Sequence, residues 1–279
     1  MMLFKYTSSD GKDIVTNSRL KVDDPNNYND PFEFALNIIE VNSANIRSFL
    51  KSKSNQRAVY EKGIKSGGIS ESWEEFHRRN SDKHNRNRIA NGLAIDLNAD
   101  LKKILNQQDG SVTDYFLLCC FCGHSLCPSD EVLMWAHYSD GLRGLRFSLD
   151  TDLLVEKTIE ISKVQYLKHI AALNLKNFLT KNKDSISNAL ELSLGSKRKS
   201  WEYEQEYRWF VDVRDVRQTT EGLFVPINLN AIKRIDFGAK CSLEVVSEIS
   251  KRVRDLGLKA ELKRAVLDAV DFKLKYNDL

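Results

Sequence analysis

A chain of 279 residues can bury a core as one large domain or two small ones. Its 42% hydrophobic and 29% charged residues are ordinary for a globular protein, and a formal net charge of +3 is too small to argue for nucleic acid by itself. No apolar run approaches the roughly 18 residues of a membrane span, and "MMLFKYTSSDGKD" lacks a signal-peptide hydrophobic stretch, so a cytoplasmic protein is expected.

In chain order, "LFKYT" has strand character. "VDDPNNYNDPFE" is dense in turn formers, with Asp24 and Asp30 held out of the helical region by the prolines that follow them. From residue 43 to 106 helical spacing takes over, as in Ile46, Phe49 and Leu50, then Ile89, Leu93, Leu97, Leu101, Ile104 and Leu105. Ser72 followed by Glu75 offers a capping box for a helix through "SWEEFHRRN". This stretch reads as a helical insertion or lid within a single domain of residues 1–279. The basic run "HRRNSDKHNRNR" reads as a solvated helix face before it reads as a phosphate grip.

"DYFLLCCFC" is a short apolar run, read as a buried strand. A helix through "EVLMWAHYSD" follows, with Ser129 as its expected N-cap and Gly141 as its stop. Helical spacing puts Met134, His137 and Tyr138 on one face. "GLRFSLD" and "IEISKVQYL" return as strands, and residues 169–195 carry the apolar spacing of a helix. "WEYEQEYRWF", "GLFVPINL" and "IKRIDFGA" read as further strands, and "SLEVVSEISKRVRDLGL" as an amphipathic helix capped by Ser242. "LKRAVLDAVDFKLKY" mixes strand-like pieces. The sum is an α+β chain with mixed or antiparallel sheets, without regular βαβ alternation.

Three stretches offer chemistry. In "MWAHYSDGLRG", a His and a Tyr adjacent on a helix, just before a Gly-rich return, could contact a ligand or be satisfied core or surface residues. Four of the five cysteines cluster, and Cys119, Cys122, His124 and Cys127 are zinc-ligand types. Only one Cys-x-x-Cys pair occurs, and Cys119 and Cys122 fall on opposite faces of a strand. Core thiols are therefore expected ahead of a metal or a reactive thiol, and no metal is expected. In "WEYEQEYRWF", strand alternation sends Tyr203, Tyr207 and Trp209 one way and Glu202, Glu204, Glu206 and Arg208 the other. Solvated charges would explain that pattern. So would a carboxylate placed to stabilise the positive charge that develops when an N-glycosidic bond breaks.

"YNDPFE", "LMWAHYSDGLRGLRFSLD" and "WEYEQEYR", in that order, resemble the bacterial family called domain of unknown function 2971, over nearly the whole chain. That family more often has a serine where this chain has Cys122. A more distant resemblance, carried by "EQE" ahead of "YRWF", is to ADP-ribosyltransferases. It implies a split, strand-rich core with a helical insertion and NAD as the cofactor. Glu206 would be the catalytic glutamate and Glu204 would orient the acceptor. Tyr6, Asn29 and Asp30 would hold NAD, with His137 and Tyr138 lining the cleft. The early motif's His or Arg is missing here, and Lys5 is the nearest cation. The resemblance further implies a protein or nucleic-acid acceptor, and a toxin or phage-defence effector. Two other readings stay open: a non-catalytic module binding a ligand or partner, and a nucleic-acid enzyme using "EYEQE" as a metal site.

Overall fold

In the computed structural model the described residues are 1–24, 30, 37–38, 43–65, 67–95, 116–123, 126–157, 159–169, 172–173, 192 and 194–279. The chain divides into two units, Met1–Asp30 with Thr113–Tyr166 and Lys197–Leu279, and Pro31–Val112 with Leu167–Ser196.

The first unit is α+β. Its main sheet uses β1 (Met2–Thr7), β3 (Phe116–Gly123), β4 (Leu145–Asp150), β5 (Ile161–Lys163), β6 (Glu206–Asp212), β9 (Ile232–Phe237), β10 (Glu261–Asp268) and β11 (Lys273–Asp278). Their order is β11-β10-β9-β4-β1-β3-β6-β5. β9 and β10 run parallel and every other neighbouring pair is antiparallel, so the sheet is mixed. A smaller antiparallel sheet joins β2 (Arg19–Val22), β7 (Arg217–Thr219) and β8 (Gly222–Pro226).

Alternation sorts the main sheet into two faces. Leu3, Leu117, Cys119, Phe121, Leu145, Phe147, Leu149, Trp209, Val211, Ile235 and Phe237 belong to the larger apolar core. The amphipathic helix α2 (Leu243–Asp255) delivers Ile249 and Val253 to it, and Ser242 caps that helix as expected. The opposite face carries Phe4, Tyr6, Cys122, Arg146, Glu206, Arg208 and Asp236, all buried. Helix α1 (Pro128–Tyr138) packs Met134 and Trp135 against the apolar part of that face. Such a sequence must bury charge, and buried charge needs partners.

The sheet is open along one seam. β1 pairs with β4 over six residue pairs, Met2↔Asp150 to Thr7↔Leu145. Its ladder with β3 holds only Leu3↔Gly123 and Phe4↔Cys122. Beyond Phe4 the strands part, and the Lys5 ammonium reaches the Cys120 carbonyl at 2.9 Å. The close turn into β4 depends on Gly144, where a Cβ would stand 2.0 Å from the Thr7 carbonyl oxygen. That explains the "GLRG" return as backbone packing.

The second unit contains helices Ser43–Phe49, Lys53–Lys65, Trp73–Ser81 and 83–95. The Ser72/Glu75 capping box forms as the sequence predicts. Tyr60, Trp73 and Phe76 pack their rings together, and His77 stacks on Trp73. Along the basic run, Arg78, Lys83 and Arg88 are exposed and Arg79 pairs with Glu71. The helix expected over residues 169–195 falls almost wholly outside the described residues, and Ala172–Leu173 within it is a strand.

Two local expectations change. Cys127, not Ser129, is the N-cap of α1, because Pro128 occupies the first helical position where its missing N–H costs nothing. The helix ends at Tyr138, and Asp140, Gly141 and Leu142 all take positive φ in the turn that follows.

Candidate active site

The acidic stretch is not one strand. Lys199–Glu204 forms a 3-10 helix, Gln205 adopts a left-handed conformation at φ 44°, and β6 begins only at Glu206. Alternation therefore governs only the second half. Trp209 and Val211 enter the large core, while Glu206 and Arg208 turn to the opposite face. Glu202 is exposed and pairs with Lys199. The expectation of one continuous acidic strand face is corrected: Glu204 arrives from a helical turn, Glu206 from a strand, and both are buried.

Lys197, on the strand Ser196–Arg198, joins them. Its ammonium lies 2.6 Å from Glu204 Oε2 and 3.0 Å from Glu206 Oε2. Arg208 Nε donates to Glu206 Oε1 at 2.7 Å. The Tyr138 hydroxyl donates to Glu204 Oε1. The Tyr166 hydroxyl accepts from the Glu206 backbone N–H at 2.7 Å.

The two carboxylates are pushed apart electrostatically. Burial raises the Glu204 pKa, and Lys197 and the Tyr138 hydroxyl only partly offset it; the neighbouring Glu206 charge adds to the rise. Burial acts on Glu206 in the same direction, but Arg208 and Lys197 together outweigh it and hold Glu206 well below the usual carboxylate range. One carboxylate is thus a fixed charge and the other a group able to exchange a proton.

Both face a cavity of about 410 Å³, within the range of about 300–1,000 Å³ of small-molecule sites. It occupies the seam, with Phe4, Lys5 and Tyr6 on the β1 side and Cys120, Phe121 and Cys122 on the β3 side. Tyr138, Met134, Lys197, Lys21 and Asp23 complete it. Cys122 pairs directly with Glu206 across the ladder, and burial pushes its thiol up, away from a thiolate. Cys119 is buried on the other sheet face, Cys241 is buried, and Cys127 is exposed. His124 lies outside the described residues.

Of the residues the sequence singled out, Glu204, Glu206, Tyr6 and Tyr138 converge on this cavity. Tyr6 is buried, and its hydroxyl accepts from Arg146 Nη1 at 3.3 Å. His137 does not line it: the side chain is exposed and faces Tyr203, their ring centroids 6.2 Å apart. Asp30 is buried but is not among the lining residues, and Asn29 lies outside the described residues. Sequence reasoning missed Lys197 and Tyr166. "GSKRKS" has no periodicity that marks one lysine among 42 basic residues, and Tyr166 sits in an unremarkable strand.

A second buried ionic cluster lies on the same sheet face. Arg146 binds Asp236 at 2.7 Å and pairs with Glu131. Tyr276 donates to Glu131 at 2.8 Å and accepts from Trp135 Nε1 at 3.0 Å. The guanidinium lies 4.3 Å from the centroid of the Phe4 ring and 4.5 Å from that of Tyr276.

Among the described residues no helix is long and apolar enough to cross a membrane. Comparison with the curated proteins and with the solved structures finds no match. Residues 134–209, from the helix that carries Tyr138 to the strand that carries Glu206 and Arg208, match the model of a family described as Protein of unknown function (DUF2971).

Proposed function

We propose that the chain is an ADP-ribosyltransferase-like enzyme that cleaves the N-glycosidic bond of NAD and passes ADP-ribose to a protein or nucleic-acid acceptor. The observation that carries this reading is the convergence of Glu204 and Glu206, with opposite pKa shifts, on one cavity in an open seam of the sheet. The C1′–N bond breaks, its electron pair leaves with neutral nicotinamide, and positive charge develops on the ribose. Glu206 supplies the fixed negative charge. Its oxygens hold Lys197 and Arg208 yet keep lone pairs for a ribose hydroxyl. Glu204 receives the proton of the acceptor as the acceptor bonds to C1′, a task suited to a carboxylate of raised pKa. Tyr6 and Tyr138 offer flat walls for a planar ring. A toxin or phage-defence effector is the biological setting that fits such an activity.

The test is nicotinamide release from NAD by the full chain. Wild type should release it, and Glu206→Gln should lower the rate by about 10²–10³-fold, the usual loss for one preorganised electrostatic contact. Wild type releasing no more than buffer, or equal release by the variant, would end this reading.

One observation favours a second reading, a ligand- or partner-binding module. Lys197 and Arg208 balance the two carboxylates within the cluster, as a purely structural clamp would. In that case Glu206→Gln lowers the melting temperature and leaves binding intact. The same balance disfavours a nucleic-acid enzyme built on a divalent ion, since the carboxylates' charge is already spent on cations.

A further inference from the structure

The seam opens onto a second cavity. This one, about 570 Å³, is lined by residues between Lys5 and Arg19 together with Lys21, Glu221 and Phe224. Lys5 and Lys21 line both cavities, so the two adjoin at β1 and β2.

The cations around these cavities are not equivalent. Lys197 binds Glu204 and Glu206. Arg19 pairs with Asp13 and Glu221 and stacks over Phe224 at 3.8 Å. Lys12 pairs with Glu248 at 3.0 Å, and Lys21 with Asp23 at 3.3 Å. Lys5 alone among them makes no salt bridge to a described residue. Lys5 is half-buried as a residue; its ammonium meets the Cys120 carbonyl at 2.9 Å and the Cys119 thiol, and lies 5.9 Å from the centroid of the Phe121 ring. An ammonium has three N–H donors. A desolvated cation with a donor to spare, at the junction of two cavities, offers a place for an anion. Asp23 and Glu206 reach it only through longer-range attraction.

We propose that Lys5 is the anion-binding residue of a two-ended ligand whose phosphate or diphosphate sits at the junction, with one end in each cavity. In substrate class this rests on the reading above, because it assigns a dinucleotide rather than a single nucleoside to the Glu204–Glu206 site. The anion site itself stands without that reading.

The probe is inorganic pyrophosphate, titrated calorimetrically into the full chain at low and high salt. Wild type should bind, more weakly as salt rises. Lys5→Gln should bind at least about 10-fold more weakly, Lys5→Arg should retain binding, and Lys251→Gln, at an exposed lysine that lines neither cavity, should match wild type. Should Lys5→Gln fail to fold, acetylation of the wild-type protein mapped by mass spectrometry serves instead: pyrophosphate should protect Lys5 and leave Lys251 reactive. Equal affinity in Lys5→Gln, absence of binding by wild type, or no protection of Lys5 overturns the proposal. Pyrophosphate binding through Lys5 without nicotinamide release would leave the anion site standing and remove only the catalytic reading.

Discussion

Two buried ionic clusters share one face of the same sheet, and only one of them lines the seam cavity. Around Arg146, two carboxylates, two tyrosines and the rings of Phe4 and Trp135 close on every side of the guanidinium. Around Lys197, the two glutamates have their charges met and yet still line a cavity. The first cluster ties strands β1, β4, β9 and β11 to helix α1. It fixes the wall from which Tyr138 reaches Glu204. The second holds charge where a ligand can meet it. Sealed charge specifies a fold, and charge on a cavity wall offers chemistry.

The sharpest way to break this comparison is Arg146→Met. It leaves Asp236 and Glu131 without their shared cation, with Arg234 still on Asp236 at 2.6 Å. The expected loss is about 3–5 kcal/mol in urea denaturation, as for one partner removed from a buried pair. Arg146→Lys should not restore it, because an ammonium lacks the planar fork that reaches Asp236, Tyr6 and Glu131 at once and lies flat among aromatic rings. A loss below about 1 kcal/mol would show that the cluster is no clamp.

Glu206→Gln comes next, at about 2–3 kcal/mol. It leaves Arg208 and Lys197 with one carboxylate fewer, but the amide oxygen still accepts a hydrogen bond and Lys197 keeps Glu204. In wild type the contribution of Glu206 is present above the ordinary carboxylate pKa of 4.5 and lost as pH falls toward about 2, because its folded pKa is lowered. The variant should lack that acid-side loss in a melting-temperature series.

Much of this architecture was legible in the sequence. Strands β1, β3 and β4, the capping box at Ser72 and the helix after Ser242 follow from periodicity and capping chemistry, which are local. The opening of the seam was not, because strand register depends on partners distant in the chain. The acidic stretch misled in an instructive way. Trp201-Glu202-Tyr203-Glu204 alternates like a strand, but the chain coils there and Gln205 reverses into the left-handed region. Glu204 and Glu206 still meet, through tertiary placement rather than through period two. His137 and Tyr138 were equally eligible by helical spacing, and only the pose of α1 sends Tyr138 to the cavity and leaves His137 outside. Lys197 supplies the positive charge that makes the site coherent, and no local pattern announces it.

Glu204→Gln changes the slope of stability with pH more than its depth. The folded pKa of Glu204 is raised, so the folded state holds its proton longer than the unfolded chain does. Stability should therefore fall as pH rises from 4.5 through the raised pKa, and then level off. The glutamine variant cannot ionise and should lose that decline. An unchanged slope would place Glu204 among ordinary ionised carboxylates and remove it as the proton acceptor.

The smallest effect is expected from Tyr138→Phe, and it separates the open cluster from the sealed one most finely. Removing the hydroxyl deletes one hydrogen bond to Glu204 at a cost of about 1 kcal/mol. That hydrogen bond favours the ionised carboxylate, so its loss should carry the Glu204 decline to still higher pH. Tyr276→Phe is the matched control in the sealed cluster, where the hydroxyl serves Glu131 and does not line the Glu204–Glu206 cavity. It should lower stability at every pH without moving the Glu204 decline. If both variants shift the pH profile alike, the two clusters are one electrostatic unit, and the cavity wall is not a separate chemical site.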